Sequence, residues 1–140
     1  MSHLPITLGV AIVLGVLFLG LSIRVIMQRG RTKVSLGAGS AGGFQFGNEC
    51  DASPLFVAIR AQANFAEYVP FSLILIALNE EAGAPRAIVL AMAAMLVLGR
   101  LLHPLGLSRI APNFFRASGV ILNLLALVIA IGYGAYVLLS

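Results

Sequence analysis

Charge is what this sequence has least of. Only 10% of its 140 residues are Asp, Glu, Lys or Arg, against about 25% in an average soluble domain. With 60% of the chain hydrophobic, that scarcity excludes a soluble globular domain and points to the bilayer. A single cysteine, Cys50, excludes an intrachain disulfide and a cysteine-rich metal site. Its plainest reading is an incidental small residue in a loop. The N-terminus lacks a basic n-region and a clear small-residue cleavage site, so the first apolar run reads as a retained span, not a signal peptide. Neither a metal nor a nucleic-acid partner is expected. The length suits one domain over residues 1–140, a compact bundle with no room for a soluble catalytic domain.

What the chain does have is long apolar runs. Leu4 to Ile23 is twenty residues without a charge, enough at about 1.5 Å per residue to cross a core of about 30 Å. Pro5 fits the first helical turn, where its missing N–H costs nothing. Further spans are expected at about 54–79, 85–104 and 114–139, with the first running on to about residue 28. The third holds only thirteen uncharged residues between Arg86 and Arg100, and these arginines are expected to snorkel to the two interfaces. Gly9, Gly15 and Gly20 in the first span, and Gly132 and Gly134 in the fourth, are candidates for close helix contacts. The expected fold is all-α, an integral membrane four-helix bundle.

The connections are uneven. Residues 29–51 open with a basic RGRTK and pass into the glycine-rich GAGSAGG. No Lys-Ser or Lys-Thr pair follows at phosphate-loop spacing and no strand precedes it, so a flexible linker is the reading taken. Asn79 to Gly83 is expected to be a short acidic turn, and Ser108 to Asn113 another turn. Eight of the nine basic residues gather at the first and third connections, Arg86 being the exception. The positive-inside rule makes that side cytoplasmic and places both termini on the other.

One stretch departs from the apolar pattern. RAQANFAEYVP, Arg60 to Pro70, puts an arginine and a glutamate inside the second span, where ionisable groups usually face a bundle interior or a watery cavity. At about 100° per residue, Arg60, Asn64 and Glu67 share one helical face, with Gln62 off that stripe and Tyr68 on its flank. Arg100 and His103, three apart in the third span, lie at the same expected depth, as do Arg116 at the start of the fourth and Arg29 at the end of the first. One structural explanation is that Glu67 pairs with an arginine and the cluster locks the bundle. Yet one carboxylate facing Arg60, Arg100 and Arg116 leaves about two cations without an anionic protein partner. That excess favours a small, mostly anionic ligand, with Glu67 free to take an ammonium.

RAQANFAEYVP closely resembles the second-helix signature of the MAPEG family, the membrane-associated proteins of eicosanoid and glutathione metabolism. GRLLH, Gly99 to His103, resembles a Gly-Arg-x-x-His in the third helix of that family, and the wording of both motifs is most similar to the small bacterial branch. The resemblance implies a homotrimer in the bacterial inner membrane, binding glutathione as co-substrate in clefts between subunits that open to the cytoplasm. Carried over by position, Arg60 and Asn64 would hold polar groups of glutathione, and Glu67 its γ-glutamyl ammonium. Gln62, Tyr68, Arg100 and His103 would line the site, and Arg29 would take a terminal carboxylate. The arginine that stabilises the thiolate falls on Arg116 by its spacing from Arg100 and His103. Local similarity of RIAP, Arg109 to Pro112, points to Arg109 as the alternative.

Leu107 stands where several relatives carry a tyrosine four residues after the histidine, which argues against the eicosanoid-specific activities. The activity expected is conjugation of glutathione to hydrophobic electrophiles, with reduction of lipid hydroperoxides beside it. Two other classes compete: a non-catalytic scaffold that presents lipid, and a small four-helix multidrug transporter. The transporter fits poorly, because such proteins generally carry their glutamate in the first span and not one helical face from an arginine.

Overall fold

The computed structural model describes residues 4–37, 53–107 and 114–140, with the backbone alone described at 105–107. Four helices account for nearly all of it: α1 (Pro5–Thr32), α2 (Pro54–Glu81), α3 (Arg86–Leu107) and α4 (Phe114–Leu139). Each is long and apolar enough to cross a membrane, so the chain is an integral membrane helical protein.

Local chemistry sets the helix ends. Pro54 opens α2 behind Ser53, whose hydroxyl accepts from the Phe56 N–H at 3.2 Å, satisfying one of the donors that a helix start leaves unpaired. At its other end α1 runs past the expected stop near Gln28 to Thr32. Arg29 and Arg31 in that last turn are good helix formers, and their charges suit the negative end of the helix dipole. Lys33 then takes a left-handed conformation, φ 55°, and the helix stops.

The expected acidic turn is instead helix as far as Glu81, because Glu80 has a partner elsewhere. Its carboxylate accepts from the Ile6 N–H at 3.0 Å, the Thr7 N–H at 2.8 Å and the Thr7 hydroxyl at 2.6 Å. The end of α2 thus caps the start of α1, supplying an anion where no acidic residue of α1 stands in its own first turn. This contact also fixes α1 and α2 as antiparallel neighbours.

The core is a column of Leu14, Leu21, Phe65, Val69, Ile76, Met92, Leu96 and Ala126, drawn from all four helices. The Phe18 and Phe65 rings stack across α1 and α2, 5.5 Å apart. α3 and α4 make the most extensive pair. They approach closely at Gly99 and Gly119, where a methyl group added to Gly99 would come within 2.9 Å of the Gly119 carbonyl oxygen. The glycines expected to pack closely behave otherwise. Within the chain Gly9, Gly15, Gly20 and Gly132 meet nothing within 4 Å, and Gly134 only approaches Asn79.

Candidate functional site

α2 carries the polar stripe along one face. Arg60 and Glu67 are exposed and Asn64 is half-buried between them, one helical turn from each. Glu67 stands near the middle of α2, about 20 Å from its start by helical rise. A glutamate side chain is too short to reach the headgroups from there. Among the described residues it takes no ion pair, so the bundle-locking pair considered above is not formed among them.

Arg100 does not snorkel as expected. It is 3% exposed and turns into the bundle between α2 and α4. Its Nη1 donates to Asn64 Oδ1 at 2.7 Å and to the Asn64 carbonyl at 3.3 Å, while Nε donates to Asn123 Oδ1 at 2.9 Å. The guanidinium carbon lies 5.9 Å from the centre of the Phe65 ring and 5.4 Å from that of Tyr68, close enough for cation–π attraction. Arg100 therefore has partners, but neutral ones. Its positive charge is dispersed over amide oxygens and ring faces.

His103 follows one turn later on α3, 7% exposed, with its backbone against Gly119. Arg116, half-buried in the first turn of α4, lies one turn before Gly119 on the same side of that helix. His103 and Arg116 are thus brought to the same crossing of α3 with α4. The Gly99–Gly119 approach is what permits this arrangement. With larger side chains there, α4 could not carry Arg116 and Asn123 up against Arg100 and His103.

Tyr68 is 38% exposed beside the stripe, its ring beneath Arg100. Gln62 points elsewhere, its Nε2 donating to the Ser22 hydroxyl of α1 at 3.3 Å. Arg29 folds back on the end of its own helix, Nη1 donating to the carbonyls of Ser35 at 3.0 Å and Gly37 at 3.1 Å. Arg109, the alternative thiolate partner, lies outside the described residues, as do Cys50 and the linker beyond Gly37.

Asn123 was missed in the sequence, although a signal was present: it is the one amide in the long uncharged run of the fourth span. An amide in hydrocarbon must find a partner, and a neighbouring helix is where it finds one. Two open grooves accompany the site without coinciding with it. One, about 540 Å³, opens beside Ile6, Glu80 and Arg86 at the opposite end of the bundle. The other is an apolar groove of about 200 Å³ between α1 and α2, lined by Phe18, Ala66 and Pro70. Of the polar cluster, Arg60 and Glu67 lie on the surface of the single chain, whereas Arg100, His103 and Asn123 are buried behind them.

These features define a class: an integral membrane helical bundle with a polar, cation-rich cluster built from α2, α3 and α4. The family follows from sequence comparison. The model of the MAPEG family matches residues 7–136, which is nearly the whole chain, and the protein belongs to that family. No curated protein and no solved structure matches it.

Proposed function

We propose that the protein is a membrane-bound glutathione transferase, conjugating glutathione to hydrophobic electrophiles and reducing lipid hydroperoxides as a second activity. The observation that carries this reading is Glu67, exposed near mid-helix in line with Arg60 and Asn64. A bare carboxylate facing lipid is strongly disfavoured. A cleft between copies of the chain, with Glu67 on its wall and a small zwitterion inside, removes the conflict. A homotrimer supplies such clefts, and the family and the apolar groove of α1 and α2 both accord with one.

Glutathione carries two carboxylates and one ammonium, which suits a wall richer in cations than anions. Glu67 would take the ammonium, and Arg60, with Asn64, the groups beside it. Tyr68 and His103 would line the cleft, and Gln62 would join them on exchanging Ser22 for the ligand. Arg29 would exchange its backbone carbonyls for a terminal carboxylate. Arg116 would stand by the sulfur. A free thiol has a pKa near 8.5 and is mostly protonated at neutral pH, whereas the thiolate is the nucleophile. A guanidinium beside it in a shielded site favours the charged form by about 1.4 kcal/mol for each unit of pKa.

The electrophile would enter from the acyl region of the bilayer. With an aryl halide the S–C bond forms, the halide leaves with the bonding electron pair, and the thiol proton passes to water. With a lipid hydroperoxide two glutathiones supply the two electrons, the O–O bond breaks, and the products are the alcohol, water and glutathione disulfide. The basic residues at the α1–α2 and α3–α4 connections favour a cytoplasmic cleft in the bacterial inner membrane.

The test is direct. Purified protein in detergent, mixed with glutathione, should develop the ultraviolet absorbance of a thiolate and turn over a generic aryl halide. Absence of both results sinks the enzyme reading, and glutathione binding without either would favour the scaffold.

A further inference from the structure

Asn64 is oriented from behind by a chain of hydrogen bonds that ends on a backbone carbonyl. A guanidinium has only N–H donors and no acceptor, so the atom of Asn64 that meets Arg100 Nη1 at 2.7 Å is the side-chain oxygen. On the other side of the same guanidinium, Nε donates to Asn123 Oδ1 at 2.9 Å, and Asn123 Nδ2 donates to the Gly119 carbonyl at 2.7 Å. A carbonyl oxygen can only accept. The polarity of the chain is therefore fixed at its Gly119 end, and turning over either amide would break at least one bond.

The relay is buried and backed by rigid packing. Arg100 is 3% and Asn123 4% exposed, and Gly119 sits at a close backbone contact of α3 with α4. Nη1 also reaches the backbone carbonyl of Asn64 at 3.3 Å, so one guanidinium holds both the main chain and the side chain of that residue. With Oδ1 committed to Arg100, the Asn64 group left for the open side of α2 is the Nδ2 amine, between the exposed Arg60 and Glu67.

We propose that Arg100 and Asn123 are positioning residues that fix Asn64 as a hydrogen-bond donor toward the ligand, so that this position selects a carboxylate or amide carbonyl oxygen and rejects a donor. Arg100 thus acts through Asn64 and not by touching the ligand itself. The identity of that ligand as glutathione rests on the reading above; the orientation of the amide does not.

Two kinds of measurement separate the ideas: ligand binding and turnover in variants, and proton exchange in the wild type. Asn64→Asp keeps an oxygen toward Arg100 but presents a second oxygen outward. Calorimetric titration in detergent should show glutathione binding weakened roughly tenfold or more, with little change in melting temperature. Asn123→Leu deletes the acceptor for Arg100 Nε without touching the cleft. It should raise the KM for glutathione several-fold while kcat of the folded protein is largely kept, and Asn123→Asp, which restores an oxygen for Nε but sets another against the Gly119 carbonyl, should recover part of the loss. A merely structural Asn123 would lower the yield of folded protein and leave KM unchanged.

The second measurement needs no ligand. In protein labelled with 15N at asparagine, the side-chain amine of Asn64 should exchange its protons with water far faster than those of the buried Asn79 and Asn123. Unweakened glutathione binding by Asn64→Asp, or an Asn64 amine as protected as that of Asn123, overturns the proposal. If the wild-type protein binds no glutathione, the ligand assignment fails, and the exchange rates alone decide the orientation.

Discussion

The side chain of Thr7 and the backbone N–H of the same residue both donate to one carboxylate oxygen of Glu80, at 2.6 and 2.8 Å. Seventy-three residues separate the two positions, and the contact ties the first turn of the first helix to the last turn of the second. Replacing Glu80 with alanine leaves the α1 N-terminus uncapped. The expected cost is about 1–2 kcal/mol, in the range of a lost helix cap. It should appear as a lower melting temperature in detergent with the glutathione affinity unchanged, since the site lies at the other end of the bundle. An equal loss of affinity would show that the two ends are coupled.

Gly99 and Gly119 should tolerate no side chain. A methyl group on Gly119 would sit 2.9 Å from both the Gly99 carbonyl oxygen and the His103 nitrogen, all backbone atoms that cannot swing aside. Gly99→Ala and Gly119→Ala are each expected to destabilise by about 1–3 kcal/mol through overpacking. Both should weaken glutathione binding as well, because the same contact sets Arg100 against Asn123. Gly30→Ala is the comparison, at a helical position with nothing within 4 Å. Thermal melting should find it neutral or slightly stabilised, by up to about 1 kcal/mol.

Arg116 and Arg109 make different predictions as thiolate partners. Arg116→Ala should abolish the thiolate absorbance at neutral pH while calorimetry still detects glutathione. The conjugation rate should recover as pH rises toward about 8.5, where the free thiol ionises unaided. Arg109→Ala should change neither quantity. The reverse pattern would move the role to the α3–α4 connection.

Glu67 should recognise the ammonium and nothing else. Glu67→Gln is expected to weaken glutathione binding about 10- to 100-fold, the usual range for a hydrogen bond to a charged group. An analogue lacking the γ-glutamyl amino group should bind wild type and variant alike. A variant effect that persists with the analogue would return Glu67 to a structural role.

The fold was largely legible because its determinants are local. Each span is a run of apolar residues bounded by charge or proline, and the α2 stripe follows from residues four and three apart on one helix. The candidate site was legible where it repeats a motif on one helix, as with Arg60, Asn64 and Glu67. It was not legible where it depends on which helices touch. Arg100 looked like a snorkelling end residue because nothing near it in sequence shows that Asn64 and Asn123 will receive it. Glu80 looked like a turn residue because its acceptor role is set by donors at the far end of the chain. The packed glycines were misjudged for the same reason. A glycine marks a permitted close approach, and only the crossing of α3 with α4 decides where that permission is used.

The burial of Arg100 also constrains how the protein enters its membrane. An arginine within a span disfavours insertion, by about 2.5–3.5 kcal/mol at the centre, and Arg100 lies in the C-terminal half of α3. Of its two amide acceptors, Asn64 precedes it in the chain and Asn123 follows it. As synthesis proceeds, α3 therefore reaches the bilayer with one of its two amide partners not yet made. Its commitment to the membrane is completed by the arrival of α4, so the two helices are best regarded as a single unit of biogenesis, and a chain truncated before Asn123 should leave its third segment poorly inserted.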